Sequence, residues 1–455
     1  MKKTKILCTL GPASSDRQII QRMIKAGMDA VRINTAFGSS QEFGKVVDVV
    51  RSVSSIPILI DIKGPEIRLT CHQTVRFGRN EISWFGFRKG RHLCFTYDFY
   101  DGVSKGDNIF FRDGTMKARI VQKSQHKIKL KFIYSGSLSN MCSVNVPDKH
   151  LDMPSLSQRD KELISFAVKK GLDFIALSFV RGRKDIERVK ALLSRHHIPV
   201  IAKIENQQGV DNIAEIIEAS DGIMVARGDL GIELPFERIP LIQKDIIHRC
   251  NNAAKPVITA THMLERMINH PRCTRAEASD VANAVLDGTD VIMLSGETAV
   301  GMFPVEAVAT AARIARATEP HIKTSIDIPR SPDIADSLSH SVSQIARKQD
   351  VSRIVVLTKT GYSARMVSRF HPEQEIIALS SFPNVVRELN IVWGVKAYQY
   401  PYRETGDIIL RAAKFLAKRK LLKKDDVVIF TAGSHIRKGH KVNTIEVHRI
   451  KELLG

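Results

Sequence analysis

Lys203 and Glu205 stand two residues apart, and Asp229 follows about two dozen residues later. Each group comes just after a short apolar run, residues 198–202 and 222–225. Such runs read as buried parallel strands, so the polar groups belong at the carboxyl ends of neighbouring strands. Side chains alternate along an extended chain, which sends Lys203 and Glu205 to the same side. Glu205 and Asp229 can then hold one divalent cation with Lys203 beside it. That combination suits a phosphoryl group in transfer, whose charge must be neutralised from several sides. The same spacing also fits a structural Lys–Glu ion pair at a strand end.

The elements that would position these groups follow a regular rhythm. Strands are expected at 4–10, 29–34 and 56–62, with helices between them, the first over 16–26. Strand, helix, strand in this order predicts a parallel sheet with right-handed crossovers. From 69 to 150 the rhythm breaks into short alternating runs (81–85, 92–97, 108–111, 117–122, 127–134). Turn pairs such as Asp101-Gly102, Lys105-Gly106 and Asp113-Gly114 separate them, which predicts a small inserted β-domain. Helices over 157–170, 184–195 and 209–219 then alternate with strands at 174–179, 200–204 and 222–226. Strands at 257–260 and 291–294 follow, and the last helix spans 304–318. Eight parallel strands with intervening helices describe a TIM barrel, assembled from residues 1–68 and 151–325. Residues 326–336 read as a linker, and 337–455 as a C-terminal α/β domain with strands at 353–357, 375–378 and 426–430.

On such a barrel the site lies at the carboxyl ends of the strands. Arg32 and Asn34 fall there from the second strand, and Asp61, Lys63, Glu66 and Arg68 from the third. Lys203 and Glu205 come from the fifth, and Arg227 and Asp229 from the sixth. Thr259 and Thr261 come from the seventh, and Ser295, Glu297 and Thr298 from the eighth. The stretch 226–231, with Gly228 and Gly231, reads as a turn that can aim backbone N–H groups at an anion. Cations, carboxylates and hydroxyls together suit a metal-assisted site for a phosphorylated acid.

Bulk properties exclude several classes. Of the 455 residues, 43% are hydrophobic and 26% charged, which is ordinary for a globular protein. No apolar run is long enough to cross a membrane, and the start reads as a first strand and not a signal peptide. Six scattered cysteines without a CxxC pair suit free thiols in a reducing, cytoplasmic setting. The net charge of +21 favours anionic ligands. It is spread along the chain with little basic–aromatic interleaving, so no nucleic-acid partner is expected.

Six motifs together resemble the pyruvate kinase family over nearly the whole chain. They are Thr4-Lys-Ile-Leu-Cys-Thr-Leu-Gly-Pro-Ala-Ser14, Asp61-Ile-Lys-Gly-Pro-Glu-Ile-Arg68, Ala202-Lys-Ile-Glu-Asn206, Ser220-Asp-Gly-Ile-Met-Val-Ala-Arg-Gly-Asp-Leu-Gly231, Thr274-Arg-Ala-Glu277 and Leu294-Ser-Gly-Glu-Thr-Ala299. The resemblance implies phosphoryl transfer from phosphoenolpyruvate to ADP, giving pyruvate and ATP. It implies Mg²⁺ or Mn²⁺ on Glu205 and Asp229, and charge neutralisation by Lys203. Arg32 would pair with the phosphoryl oxygens. The backbone of Ala226, Arg227, Gly228 and Asp229, with the Thr261 hydroxyl, would seat the carboxylate. Thr261 and Ser295 would pass a proton to the enolate. Arg68 would approach the nucleotide phosphates, and Asn34 and Asp61 would belong to a K⁺ site. Thr358, Lys359, Thr360 and Ser363 would form part of a phosphorylated-effector loop, facing a basic loop at 433–441 that carries His435 and His440. A homotetramer is the family's assembly.

The chain departs from the family pattern near the nucleotide and the monovalent cation. Ala36 and Phe37 replace a Ser and a His, Ile62 a Thr, Arg112 an Asp, His262 a Gln and Val300 a Lys, and Cys142 lies where the family places a lysine near the nucleotide. K⁺-dependent and K⁺-independent turnover both stay open. So does a second reading, in which the protein binds phosphoenolpyruvate or a related acid as a weakly catalytic sensor.

Overall fold

The computed structural model describes residues 2–455 apart from 37, 65, 88–91, 148, 150, 152, 195, 324–332, 402–406 and 433–443. Phe37, most of the expected linker, and the basic loop with His435 and His440 therefore lie outside the described residues.

Eight short strands are buried along nearly their whole length: Lys5–Leu10, Ala30–Asn34, Ile58–Ile62, Phe174–Leu177, Val200–Ile204, Gly222–Ala226, Val257–Ala260 and Val291–Leu294. Runs that are apolar on both faces have no solvent side, so they form a parallel sheet covered by helices. All eight pair in parallel and close into a barrel, with Lys5 opposite Val291. Helices pack outside, and their ends follow local chemistry. Ser157 and Thr274 each begin one with a capping box, completed by Asp160 and Glu277. The helix expected over 209–219 is two pieces, Gln207–Asp211 and Ile213–Ala219. Asn212 breaks it by turning its amide onto the Arg181 carbonyl, 2.7 Å away.

The inserted segment forms a second closed barrel of seven strands. Three short strands of the segment have no counterpart in the alternation of the sequence: Cys142–Asn145 in this barrel, and Val75–Phe77 and Gly136–Leu138, which pair with each other in a separate two-stranded sheet. They are three or four residues long, too short to show a period. The strand Ile67–Cys71 also pairs here, with Cys142–Asn145 and Leu93–Phe95. Arg68, expected at the tip of the third strand of the large barrel, thus sits on the first strand of the small one. Phenylalanines fill its interior, with Phe77 and Phe132 stacked at 4.1 Å.

The C-terminal domain is a five-stranded sheet, four strands parallel and the edge strand Thr444–Arg449 antiparallel. It fits against the foot of the large barrel. Ile391, from this domain, joins the cluster inside the barrel with Leu59, Ile201 and Met224. Lys5 donates to the Val395 carbonyl at 2.6 Å. Asp290 accepts from Trp393 N–H and Val257 N–H, both at 2.9 Å.

Burial pushes the Asp290 carboxyl up to about 7, against the pull of those two N–H groups. The folded chain keeps that proton up to about pH 7, whereas an unfolded aspartate releases it near 4. Between these values the folded state binds the extra proton, so this group's contribution to stability falls as pH rises. Urea midpoints measured from pH 4 to 7 are expected to carry this slope, and Asp290→Asn to flatten it.

Candidate active site

The strand tips bring two cations and two carboxylates into one buried cluster. Lys203 is 8% exposed, Glu205 1%, Arg32 9% and Asp61 3%. Lys203 Nζ lies 2.8 Å from Glu205 Oε1, 3.2 Å from Asp61 Oδ1 and 2.7 Å from Ser178 Oγ. Arg32 donates from Nε to Asp61 Oδ2 at 2.8 Å, while its Nη1 donates to Thr9 Oγ1 at 3.0 Å. Asp61 is therefore the keystone, holding Arg32 on one oxygen and Lys203 on the other.

Burial opposes charge on Lys203, but Asp61 and Glu205 outweigh it and hold the ammonium above its ordinary value. Burial likewise disfavours charge on Asp61, yet Lys203 and Arg32 bring its carboxyl below the usual range. Glu205 goes the other way. Burial, reinforced by the negative charge of Asp229, overrides Lys203 and pushes it up to about 7. Two carboxylates that repel each other beside a lysine are what a shared divalent cation would relieve. Both Glu205 oxygens already accept a hydrogen bond, Oε2 from Phe179 N–H at 2.7 Å, but each keeps a further lone pair. The donor set thus fits Mg²⁺ or Mn²⁺. Among the described residues no group of three or more His, Cys, Asp or Glu has metal-binding spacing. A two-carboxylate site suits an ion completed by substrate oxygens.

The backbone around this cluster is strained where it meets the site. Phe179, Thr261 and His262 adopt φ of 53°, 66° and 54°, a left-handed conformation costly for such side chains. At Phe179 the strand expected over 174–179 stops early, and the freed N–H turns to Glu205. Arg227 stabilises the second left-handed turn. Its guanidinium reaches the carbonyls of Ala260, Thr261 and His262, and Asp280 at 2.7 Å holds its far end. The expected turn at 226–231 is the first turn of a helix, Arg227–Glu233, with Ala226 as its cap and Asp229 in its first turn. Gly228 N–H donates to Thr261 Oγ1 at 2.7 Å, and that hydroxyl donates to the Ala260 carbonyl. The Ser295 hydroxyl is buried and meets no hydrogen-bond partner among the described residues.

Other expected rim residues serve the frame. Glu297 ties the N–H groups of Leu264 and Ser295 together, Thr298 bonds the Thr9 carbonyl, and Thr259 bonds Thr289. Asn34 accepts from Ala36 N–H at 3.1 Å. Conversely, Thr9 and Ser178 orient Arg32 and Lys203 without having been singled out. Thr9 is the last residue but one of the first strand and Ser178 directly follows the fourth, so nearness to a strand end was the signal that could have found them.

Beside the cluster lies a cleft of about 350 Å³ between the two barrels. Asp229, Glu233 and Asn206 line one wall, Arg68, Asp113 and Asn145 the other, and Lys149 and Arg181 add positive charge. Arg68 is clasped by Glu66 and reaches the Met141 carbonyl. Cys142 is buried and brings no cation, whereas Lys149, seven residues on, does. Lys149 also pairs with Asp107 at 2.8 Å. The small barrel is latched over the cleft by Asn145, which donates to Glu233 at 2.9 Å. Cutting that bond, to a charged acceptor at a half-buried site, is expected to cost about 1–1.5 kcal/mol. Asn145→Ala should then raise the KM of the second substrate roughly five- to tenfold in steady-state assays, with a smaller change in kcat.

In the C-terminal domain, Thr358 Oγ1 accepts from Gly361 N–H at 2.9 Å and Ser363 is buried at the start of the helix Tyr362–Ser368. Lys359 and Thr360 face the barrel's foot.

Residues 1–308 match the family description "Pyruvate kinase, barrel domain", and residues 336–448 match "Pyruvate kinase, alpha/beta domain". The chain is similar to a pyruvate kinase of Geobacillus stearothermophilus, 41% identical over 477 residues that cover all of this chain and 81% of the relative. A pyruvate kinase of Sporosarcina psychrophila is 38% identical over 488 residues, covering all of this chain and 82% of the relative. Among solved structures, a pyruvate kinase from Cryptosporidium parvum superposes with a TM-score of 0.93 at 32% identity, covering 99% of this chain and 96% of that one.

Proposed function

The chain belongs to the pyruvate kinase family, and on that premise we propose which of its residues carry the reaction. The reaction is phosphoryl transfer from phosphoenolpyruvate to ADP, giving pyruvate and ATP in glycolysis. The observation that carries the assignment is Lys203, a buried ammonium kept charged between Asp61 and Glu205 at the mouth of the barrel.

Lys203 and Arg32 bind the phosphoryl oxygens and neutralise the charge that spreads over them in transfer. Lys203 then faces the enolate left behind. The N–H groups of Gly228 and Asp229 and the hydroxyl of Thr261 seat the substrate carboxylate, which replaces the bond that Gly228 N–H now makes to Thr261. The buried Ser295 hydroxyl and Thr261 relay a proton to the enolate carbon. Glu205 and Asp229 would hold Mg²⁺ or Mn²⁺, which when bound would supply Lewis-acid stabilisation of developing negative charge. Arg68, with Lys149 and Arg181, receives the nucleotide phosphates in the cleft. The small barrel is a lid over that cleft, held by Asn145.

Asp61 is less suited to a K⁺ site than the family pattern implies, because Arg32 and Lys203 already cover its oxygens. Asn34 and the Ile62 carbonyl are the donors left nearby, so we propose turnover that depends weakly on K⁺. The C-terminal domain carries the loop 358–363 for a phosphorylated effector and, by family habit, contacts of a homotetramer. Among the described residues no helix is long and apolar enough to cross a membrane, and a cytoplasmic place beside the other glycolytic steps follows from the substrates.

The test is pyruvate formation from phosphoenolpyruvate with ADP and Mg²⁺, with and without K⁺. Turnover in both conditions, differing only a few-fold, is expected. Strict K⁺ dependence would refute the reading of Asp61. No turnover with any nucleoside diphosphate, despite phosphoenolpyruvate binding, would make the protein a sensor.

A further inference from the structure

At the opposite end of the barrel from Lys203, a cavity of about 460 Å³ opens between the barrel's foot and the C-terminal domain. Its floor is made where strands begin. Phe174 opens the fourth strand, and Pro199, Asp221 and Pro256 immediately precede the fifth, sixth and seventh. Its roof is the helix Tyr362–Ser368, carrying Arg365, and the helix Pro383–Glu388.

Of the cations that line it, Arg365 and Lys255 meet here with incomplete compensation. The Arg365 guanidinium has one long contact, 3.4 Å to the Thr360 carbonyl, and no ion pair among the described residues. Burial lowers its pKa, with Glu388 and Asp221 opposing. Lys255 donates to the Ser220 carbonyl at 2.6 Å and is likewise lowered by burial, and the charges of Lys190 and Arg365 lower it further. Arg365 and Lys255 are therefore close enough to repel each other in a poorly solvated place. The carboxylates nearby answer only in part. Asp221 is engaged by Val200 N–H and Lys190, and burial pushes the Glu388 carboxyl up toward its neutral form. Opposite the cations, Phe382 and Val385 offer an apolar wall, and the Phe382 ring is 47% exposed.

We propose that this seam is an anion site that takes a small phosphate monoester with an apolar body, its phosphate between Arg365 and Lys255 and its body against Phe382. A doubly charged phosphate, with three terminal oxygens to offer, can take two donors of the planar Arg365 fork and still accept from Lys255, which a lone carboxylate does less well. Half-apolar lining with a few placed polar groups is the usual make-up of a small-molecule pocket. The cavity borders the effector loop proposed above, sharing Lys359 and Thr360 with it, but neither Thr358 nor Ser363 lines it, so the phosphate place between Arg365 and Lys255 lies on the barrel side of that loop. An occupant would touch both domains at once, at the feet of the strands whose far ends carry Lys203 and Asp229.

Phenyl phosphate is the probe. The full chain is titrated by calorimetry with Mg²⁺ and saturating pyruvate but no ADP, so that the barrel mouth is filled by an acid that carries no phosphate. One site per chain is expected, with inorganic phosphate binding at least tenfold more weakly. Arg365→Gln and Phe382→Ala should each weaken phenyl phosphate at least tenfold, while Thr358→Ala leaves it unchanged. Thermal melts check that each variant is folded, and Phe382→Ala, at an exposed position, decides should Arg365→Gln unfold. No saturable heat, or equal affinity in wild type and Phe382→Ala, overturns the proposal. So does binding lost in Thr358→Ala and kept in Phe382→Ala, which would place the ester in the effector loop.

Discussion

Lys203→Met should lower kcat by about a thousandfold or more while Mn²⁺ still binds. Methionine keeps the length of the side chain and removes only the charge. The lost interaction grows as the phosphoryl group moves, so it belongs to the transition state and falls on kcat and kcat/KM together. A single preorganised donor at such a place is worth about 10²–10³ in rate, and a full positive charge in a buried site is worth more. The ion-binding pair, Glu205 and Asp229, is untouched, so a Mn²⁺ titration followed by relaxation enhancement is expected to give an affinity within a few-fold of wild type. Turnover close to wild type would refute the role of Lys203. The variant also leaves Asp61 with Arg32 as its one strong partner, and a modest fall in melting temperature should accompany the kinetic loss.

Asp61→Asn is expected to be nearly as damaging for a different reason. Asp61 need not touch the substrate; it sets where Arg32 and Lys203 point. An amide presents one oxygen in place of two, and its NH₂ group would face a cation. Breaking a buried ion pair from one side costs about 3–5 kcal/mol, because the remaining charge stays buried without a partner. Some relief comes from Glu205 and Thr9, which still hold Lys203 and Arg32. Urea unfolding should therefore show a loss of a few kcal/mol. Displacing either cation by about 1 Å can cost roughly a hundredfold in rate. The expected pattern is a large fall in kcat together with a clear fall in stability. A variant as stable as wild type but inactive would instead make Asp61 a direct participant.

Much of this arrangement was legible in the chain. Lys203, Glu205 and Asp229 could be placed together because parallel strands of a closed barrel put residues at equivalent ends side by side, and Ile204 does lie opposite Val225. The helix at Pro304–Thr318 could be bounded because proline starts it and its apolar period is strong. What stayed hidden were features set by a single neighbour in space. Ser178 and Thr9 look like ordinary polar residues at strand ends until Lys203 and Arg32 are seen to lean on them. Arg227 lies in the stretch 226–231 expected to face an anion, yet its side chain braces a left-handed turn in the next loop, which no spacing rule reveals. The short lid strands carried too few residues for a period to emerge. The resemblance gives Asp61 to a K⁺ site, while its pairing with Arg32, 29 residues away in the sequence, shows in no spacing.

Ile391 gives the two-domain layout a consequence of its own. A barrel of this kind usually closes its lower end with side chains from its own strands, whereas here part of the stopper is lent by the neighbouring domain. Shortening the gene after the last barrel helix would uncork the cylinder and leave a greasy opening beside a stranded Asp290. The catalytic half is thus not a portable module, and grafting it elsewhere would demand a replacement plug.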